Sequence, residues 1–572
     1  MKKMKKVMAL LMAASAAAGC VTTVGCATSS NAVKDEKTIN VRLFKAGFGD
    51  KFIYDLEKAF EALYAEEGYK MNILTPSYDS NGTPMVQEMS RGYDKTQIDL
   101  YFTGGFSPNM VSDAGEYGEV CEDLEELVWN QTAINYDGTE SEKTISQRLN
   151  SDLEPFLRAD NGTLYMVPWA QTSAGMVVNT TKLAHYGITE LPRTTNELFE
   201  VFEIILNGTT YTVAETGETV TVQGSSKTKT YPITYNLSKG KGGAAGYSVC
   251  AFESWVSQYG GIDAFNELYR METKTEDGWV ELEDAYNVFA SDAIKESLEV
   301  AYQMMDMKYA ATGSNTHDLD QAQALIMKDY TRKQTNAVFM CNGDWFLNEV
   351  KMNYGKVLGD IDFMNVPVIS ALGVKLFGEG TAYGFDEEKC DDVLSAVCKL
   401  VDEGKSVDEI VAAMAEQGVT LAKADAQEIA TARGTSYARG IEHTAVITKG
   451  STKKDIAALA IRMMASDDFA ETFMEKANAM SPYTQDVQAS SNYQFINSAK
   501  AIVSNPHFRA INGRVNGTRF KVLRGDYIFP ETANPALTWF NRALNASYET
   551  AAEEFYTTSL AKAKALWEEY KK

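Results

Sequence analysis

The 572-residue sequence predicts an α/β protein of two lobes with a ligand cleft between them, and three observations carry that expectation. Short β-like runs alternate with amphipathic helices over 38–102, the rhythm of a parallel sheet covered by helices. The same rhythm starts again after Pro168. The length suits two domains rather than one, and two α/β units in one chain leave a crevice between them.

In the first unit, 38–44 (TINVRLF) alternates as a strand, and 51–66 carries Phe52, Leu56, Ala59, Phe60 and Leu63 at helical spacing. Residues 70–74 and 98–102 (IDLYF) read as further strands. In the second unit, 175–179 is a strand, and a helix follows the turn at 192–195, with Thr195 as N-cap and Leu198 as its first apolar anchor. Residues 209–224 alternate as a β-hairpin turning at Thr216-Gly217, followed by a Ser/Lys/Gly-rich loop over 224–246. Residues 386–432, rich in Ala, Glu and Lys, read as an inserted helical hairpin, and both interruptions are expected on the surface. Ligands of open α/β sheets bind at the carboxyl ends of strands, so the loops after Phe44, Phe102 and Val167 come first in the search for a site.

The N-terminus has the pattern of an export signal: Lys2, Lys3, Lys5 and Lys6, then an apolar run over 7–18, too short for a permanent membrane span. Small residues lead into Cys20 (Ala17-Ala18-Gly19-Cys20) and again into Cys26 (Thr23-Val24-Gly25-Cys26), both similar to the site at which lipoproteins are cut and acylated. The length of the apolar run favours Cys20 as the lipidated residue, with Cys26 the alternative and an ordinary cleaved signal the bland reading. Residues 1–19 are then leader and 20–37 tether, and the body is expected outside the cytoplasm, anchored by lipid to the outer face of the cytoplasmic membrane. Loss of the four leader lysines leaves 50 basic against 78 acidic side chains, a formal charge of −28. That balance argues against nucleic acid or an anionic membrane face as a partner. Beyond the leader, Cys121, Cys250, Cys341, Cys390 and Cys398 are odd in number with no CxxC spacing, and the four histidines form no HExxH or HxH pair. No disulfide framework, metal site or cofactor is expected.

Four segments carry a resemblance. They are Tyr165-Met166-Val167-Pro168 with Asn179, Lys182, Gly187, Pro192, Thr195 and Leu198 behind it; Asn342-Gly343-Asp344-Trp345 after the run 337–340; 442–471, a strand, basic turn and helix; and the closing stretch 535–567. In this order they resemble the substrate-binding proteins of ABC importers of the maltose-binding-protein type. The resemblance implies a two-lobed periplasmic-binding-protein-like (type II) fold with a central ligand cleft and hinge crossovers near 169–171, 370–373 and 481–484. It divides the chain into a first lobe of 38–170 with 440–483 and a second lobe of 171–372 with 484–572, 386–432 being the insertion. It implies a monomer that captures a carbohydrate, of oligosaccharide size, and hands it to permease subunits.

A sugar offers an apolar face of C–H groups and a rim of hydroxyls, which aromatic platforms and planar polar groups match. The chain has 7 Trp, 29 Tyr and 25 Phe. The resemblance assigns Trp345, in the NGDW loop, and Trp539, in the closing segment, as stacking residues. Trp255, ahead of paired glycines, is a third candidate, and one of Trp169 and Gln171 at the first crossover a fourth. For each of these rings the competing reading is core packing. Gly49-Asp50-Lys51 resembles a family segment whose Asp and Lys reach sugar hydroxyls, although the same residues suit a helix N-terminus. Thr103 and Gly104 after the IDLYF strand, and Asp344, would complete the rim.

No GxSxG, P-loop or dinucleotide fingerprint is present, and no local signature singles out the carboxyl pair of a glycosidase, so a binder rather than an enzyme is expected. The alternatives are an extracellular carbohydrate-active enzyme, a surface adhesion or sensor component without a small ligand, and a binder of a non-sugar solute such as a peptide.

Overall fold

The computed structural model describes residues 31–75, 82–105, 107–113, 115–237, 246–276, 278–354, 359–438, 443–483, 494–512 and 546–571. These form two α/β lobes, each built on one mixed sheet.

The first-lobe sheet centres on Thr38–Leu43, which pairs in parallel with Lys70–Ile73 on one edge and Leu100–Phe102 on the other. Thr444–Ile447 then adds antiparallel to Leu100–Phe102, and Val167–Pro168 antiparallel to Thr444–Ile447. Ile39, Val41 and Leu43 alternate onto one face and are fully buried. The helix Lys51–Leu63 covers that face with Phe52, Ile53, Leu56 and Phe60. Asn40, between the apolar residues, is buried as well, and its N–H donates to Asp99 Oδ2 at 2.8 Å. Asp99 also accepts from Ser451 Oγ at 2.7 Å and pairs with Lys453 Nζ at 3.0 Å. A buried carboxylate persists only where such partners replace water; here they fasten the late segment around Lys453 to the first strand.

The second-lobe sheet centres on Ser173–Asn179, with all seven residues buried. Asn336–Gly343 runs antiparallel along one edge and carries Thr230–Thr234 parallel beyond it. On the other edge, Ile361–Met364 pairs with the carboxyl half of Ser173–Asn179 and Thr435–Ala438 with its first residues, and Arg509–Ile511 lies parallel to Thr435–Ala438. The helix Tyr548–Tyr570 lies on the second lobe and buries Ala551, Ala552, Phe555, Ala563 and Trp567.

Several expectations change. The N-cap of Thr195–Asn207 is Thr194, not Thr195, because the Thr194 hydroxyl accepts from Glu197 N while the Glu197 side chain returns to the Thr194 N–H. The hairpin forms as Gly208–Thr212 with Thr219–Gln223, but the loop expected over 224–246 contains Thr230–Thr234, an edge strand of the sheet. The 386–432 segment is not a surface hairpin. It is three helices, Glu387–Asp402, Val407–Glu416 and Lys423–Gly434, whose Cys390, Val393, Leu394, Val397, Cys398, Ile410 and Ile429 are buried in the second-lobe core.

The chain passes between lobes just after Pro168, where Gln171 bridges Met480, and again between Ala438 and Thr444. The segment at Met480–Tyr483 runs beside the first passage. No crossing occurs at 370–373. Ser370 instead exchanges hydrogen bonds with Thr195 at 3.0 and 3.1 Å inside the second lobe, and the chain continues into Ala371–Phe377.

Candidate ligand cleft

The first residues of Ser173–Asn179 are where the passages meet. Trp169 N donates to His443 O at 2.9 Å and Gln171 N to Met480 O at 2.8 Å, so three extended segments lie side by side under the gap between lobes. Ala174 pairs with Gly343 on one edge and Tyr437 on the other, which brings the NGDW loop to the same place.

Trp345 sits at the lobe seam and is 7% exposed. Its ring lies flat on Gly343, where any Cβ would fall 2.1 Å from Cζ3 and Cη2, so only glycine lets it lie there. Tyr247 is 5.6 Å away between ring centroids. From the first lobe, Gly47 approaches so closely that a Cβ on it would stand 3.3 Å from Trp345 Cδ1, and the Asn348 amide donates to Gly47 O.

Asp344 turns its carboxylate back to the crossover. Oδ2 accepts from Ser173 N at 3.0 Å, while Oδ1 is buried without a hydrogen-bond partner. Burial holds its carboxyl well above the usual carboxylate range, against the lowering effect of the Ser173 amide. Gln171 Nε2, Thr172 Oγ1 and Tyr483 OH are likewise buried and unpartnered. Such atoms cost free energy unless something binds them, and these four belong to segments that meet at the crossovers.

The other expected site residues are placed as follows. Trp169 is fully buried, 5.5 Å from Phe52 and from 5.3 to 6.1 Å from the rings of Phe48, Phe102, Phe473 and His443. Its Nε1 donates to Thr103 O at 3.2 Å, so it is a pillar under the crossover with no free ring face. Trp255 is also fully buried, in the second-lobe core, with Nε1 on Pro367 O at 3.1 Å. Neither can serve as an open platform, because packing in each case occupies both ring and N–H. The Thr103 hydroxyl is committed to Thr444, at 2.8 Å to its carbonyl oxygen and 2.9 Å to its hydroxyl. Gly104 is a close-packing position: a Cβ there would strike the Phe44 ring at 2.1 Å. Asp50 precedes Lys51–Leu63 without capping it and pairs with Lys45 at 2.9 Å, and Lys51 is exposed on the first turn. Trp539, Cys20 and Cys26 lie outside the described residues. The structure links Asp344 to the first crossover through Ser173 N and sets Gln171 beside Met480, and Thr172 and Tyr483 lie on the same two crossover segments. Tyr483 had a signal in the sequence, an aromatic directly after Pro482 in an expected crossover. No cluster of three or more metal-ligating side chains occurs among the described residues.

Two lobes on separate sheets joined by adjacent passages are the arrangement of the type II periplasmic-binding-protein-like fold, and comparison with solved structures shows the same fold. The chain is similar to apo RafE from Streptococcus pneumoniae (13% identity, TM-score 0.52, covering 92% of this chain and 98% of that one). It is similar to a chitin oligosaccharide binding protein (13%, 0.53, 92% and 99%) and to the bacterial solute receptor AcbH, described as preferring β-D-galactopyranose (11%, 0.53, 93% and 99%). No protein-family model and no curated sequence matches the chain.

Proposed function

We propose that the chain is the substrate-binding component of an ABC importer and captures a carbohydrate, of oligosaccharide size, in the interlobe cleft. The observation that carries this reading is the set of buried, unpartnered polar atoms on the segments that meet at the crossovers, Asp344 Oδ1, Gln171 Nε2, Thr172 Oγ1 and Tyr483 OH, with Trp345 next to Asp344 in sequence. Acceptor and donor atoms beside an aromatic face match the hydroxyl rim and C–H face of a sugar. The fold likeness to a chitin oligosaccharide binding protein and to RafE, solved also with raffinose, supports the same class of ligand.

The mechanism is hinge closure. Ligand bridging the lobes adds contacts available only when the cleft is shut and so shifts the population toward the closed form, which permease subunits would recognise. Lipidation at Cys20, or at Cys26, would hold the monomeric protein at the outer face of the cytoplasmic membrane. Asp50 and Lys51, and by the family resemblance Trp539, remain proposed contributors to ligand binding.

A thermal-shift panel of raffinose, galactose, and chitin and xylan oligosaccharides tests the function. A true ligand at a hundredfold excess over its dissociation constant stabilises the protein by about 2.7 kcal/mol. Stabilisation with the glycan recovered intact supports the reading; turnover of the glycan, or no stabilisation by any sugar, overturns it.

A further inference from the structure

One of the places where the lobes touch is not explained by ligand chemistry. The 3-10 turn Ala46–Phe48 of the first lobe rests on the start of the second-lobe helix Phe346–Tyr354. There the Asn348 amide donates to Gly47 O, and a Cβ on Gly47 would stand 3.1 Å from Glu349 Oε1 and 3.2 Å from its Cγ. Gly47 thus lids a carboxyl group.

Beneath that lid Glu349 has one polar neighbour. Gln323, fully buried on the helix Leu319–Met327, donates from Nε2 to Glu349 Oε2 at 2.6 Å, and Gln323 Oε1 is buried with no partner. An ionised carboxylate can only accept, which leaves Gln323 Oε1 orphaned. A protonated one completes the pair, accepting from the amide N–H and donating its own O–H to the amide oxygen.

We propose that the contact of Gly47 with Asn348 and Glu349 is a clasp between the lobes that shuts with uptake of one proton by Glu349, so that the cleft loosens as pH rises. The clasp rests on the hinge motion of the proposed function but involves none of the atoms assigned to the ligand.

Among the described residues, the charges around it do not supply a counter-ion. Asp318 and Asp320 are acidic groups at the start of Leu319–Met327, and Asp320 repels the Glu349 anion. Lys351, on the same helix as Glu349, donates to Asn478 Oδ1 at 3.0 Å, and Lys45 from the lidding loop is paired with Asp50 at 2.9 Å. Burial accordingly lifts the Glu349 carboxyl to about 7, with the Gln323 amide opposing and Asp320 reinforcing. Opening the clasp returns it toward water and toward the ordinary value. Closure therefore binds a proton, and its advantage is complete below the open-state value and lost as pH rises through the closed-state value. With these two values the closed-to-open ratio falls about 30-fold between about pH 5.5 and pH 8.5.

Small-angle scattering of the ligand-free protein reads lobe separation directly. The wild-type radius of gyration is expected to rise across neutrality, that of Glu349→Gln, a permanently neutral partner for Gln323, to stay at the compact value, and that of Gly47→Ala, whose methyl group wedges the seam, to stay expanded at every pH. Infrared difference spectra of wild type should contain a protonated-carboxyl component that fades over the same range and is missing from Glu349→Gln, beside any Asp344 component common to both; this readout holds even if Gly47→Ala folds poorly. A wild-type radius independent of pH, or a pH response unchanged in Glu349→Gln, overturns the clasp. Failure of every sugar to bind, with the scattering response intact, overturns the transport reading instead.

Discussion

Trp345→Ala separates a ring that serves the cleft from one that merely fills it. Trp345 is 7% exposed and large aromatics bury about 200 Å², which at about 25 cal/mol per Å² corresponds to an upper limit of about 5 kcal/mol. That burial has two sides. One faces its own lobe, on Gly343 and Tyr247; the other faces Gly47 across the seam. The own-lobe share is lost from folding. The seam share is lost from closure and so appears in ligand affinity. An even division gives about 2.5 kcal/mol to closure, or about sixtyfold in dissociation constant, since each 1.4 kcal/mol is about tenfold. Lost stacking on the sugar adds to this. Isothermal titration with the best ligand of the glycan panel measures the affinity, and calorimetric unfolding without ligand measures the stability, expected to drop by only a few degrees in a protein of this size. Wild-type affinity in the variant would refute the reasoning. So would collapse of the free protein, because that would make Trp345 a core pillar like Trp169.

Tyr483→Phe removes a buried hydroxyl without a partner, so the free protein should gain about 1 kcal/mol in urea denaturation while ligand affinity falls about tenfold; equal affinity would exclude this hydroxyl from the ligand. Asp344 is buried with its carboxyl raised, so the unfolded chain releases that proton at lower pH than the native state does. Native stability should therefore decline as pH rises above the ordinary carboxylate range, and Asp344→Asn should flatten that decline in denaturation series at several pH values. Gly104→Ala places a methyl group 2.1 Å from the Phe44 ring, a clash that should cost about 1–3 kcal/mol in calorimetric stability.

The amino-acid sequence by itself determined the local elements of the first unit. Alternation in 38–44 became Thr38–Leu43, and the spacing of Phe52, Leu56 and Phe60 became the buried stripe of Lys51–Leu63. Both patterns are local periodicities, and one buried face is enough to impose them. The family resemblance also marked the NGDW loop, where Gly343 permits close approach. Tertiary structure alone decided which aromatics are structural. Trp169, Trp255 and Trp345 look alike in sequence, yet the first two have ring and N–H enclosed by their own lobe while the third meets the other lobe. It also decided that 386–432 belongs to the core, that no crossing occurs at 370–373, and that Glu349 lies under Gly47, some three hundred residues away in sequence. Such pairings depend on how two separately folded sheets are set against each other, and no periodicity within either segment encodes that.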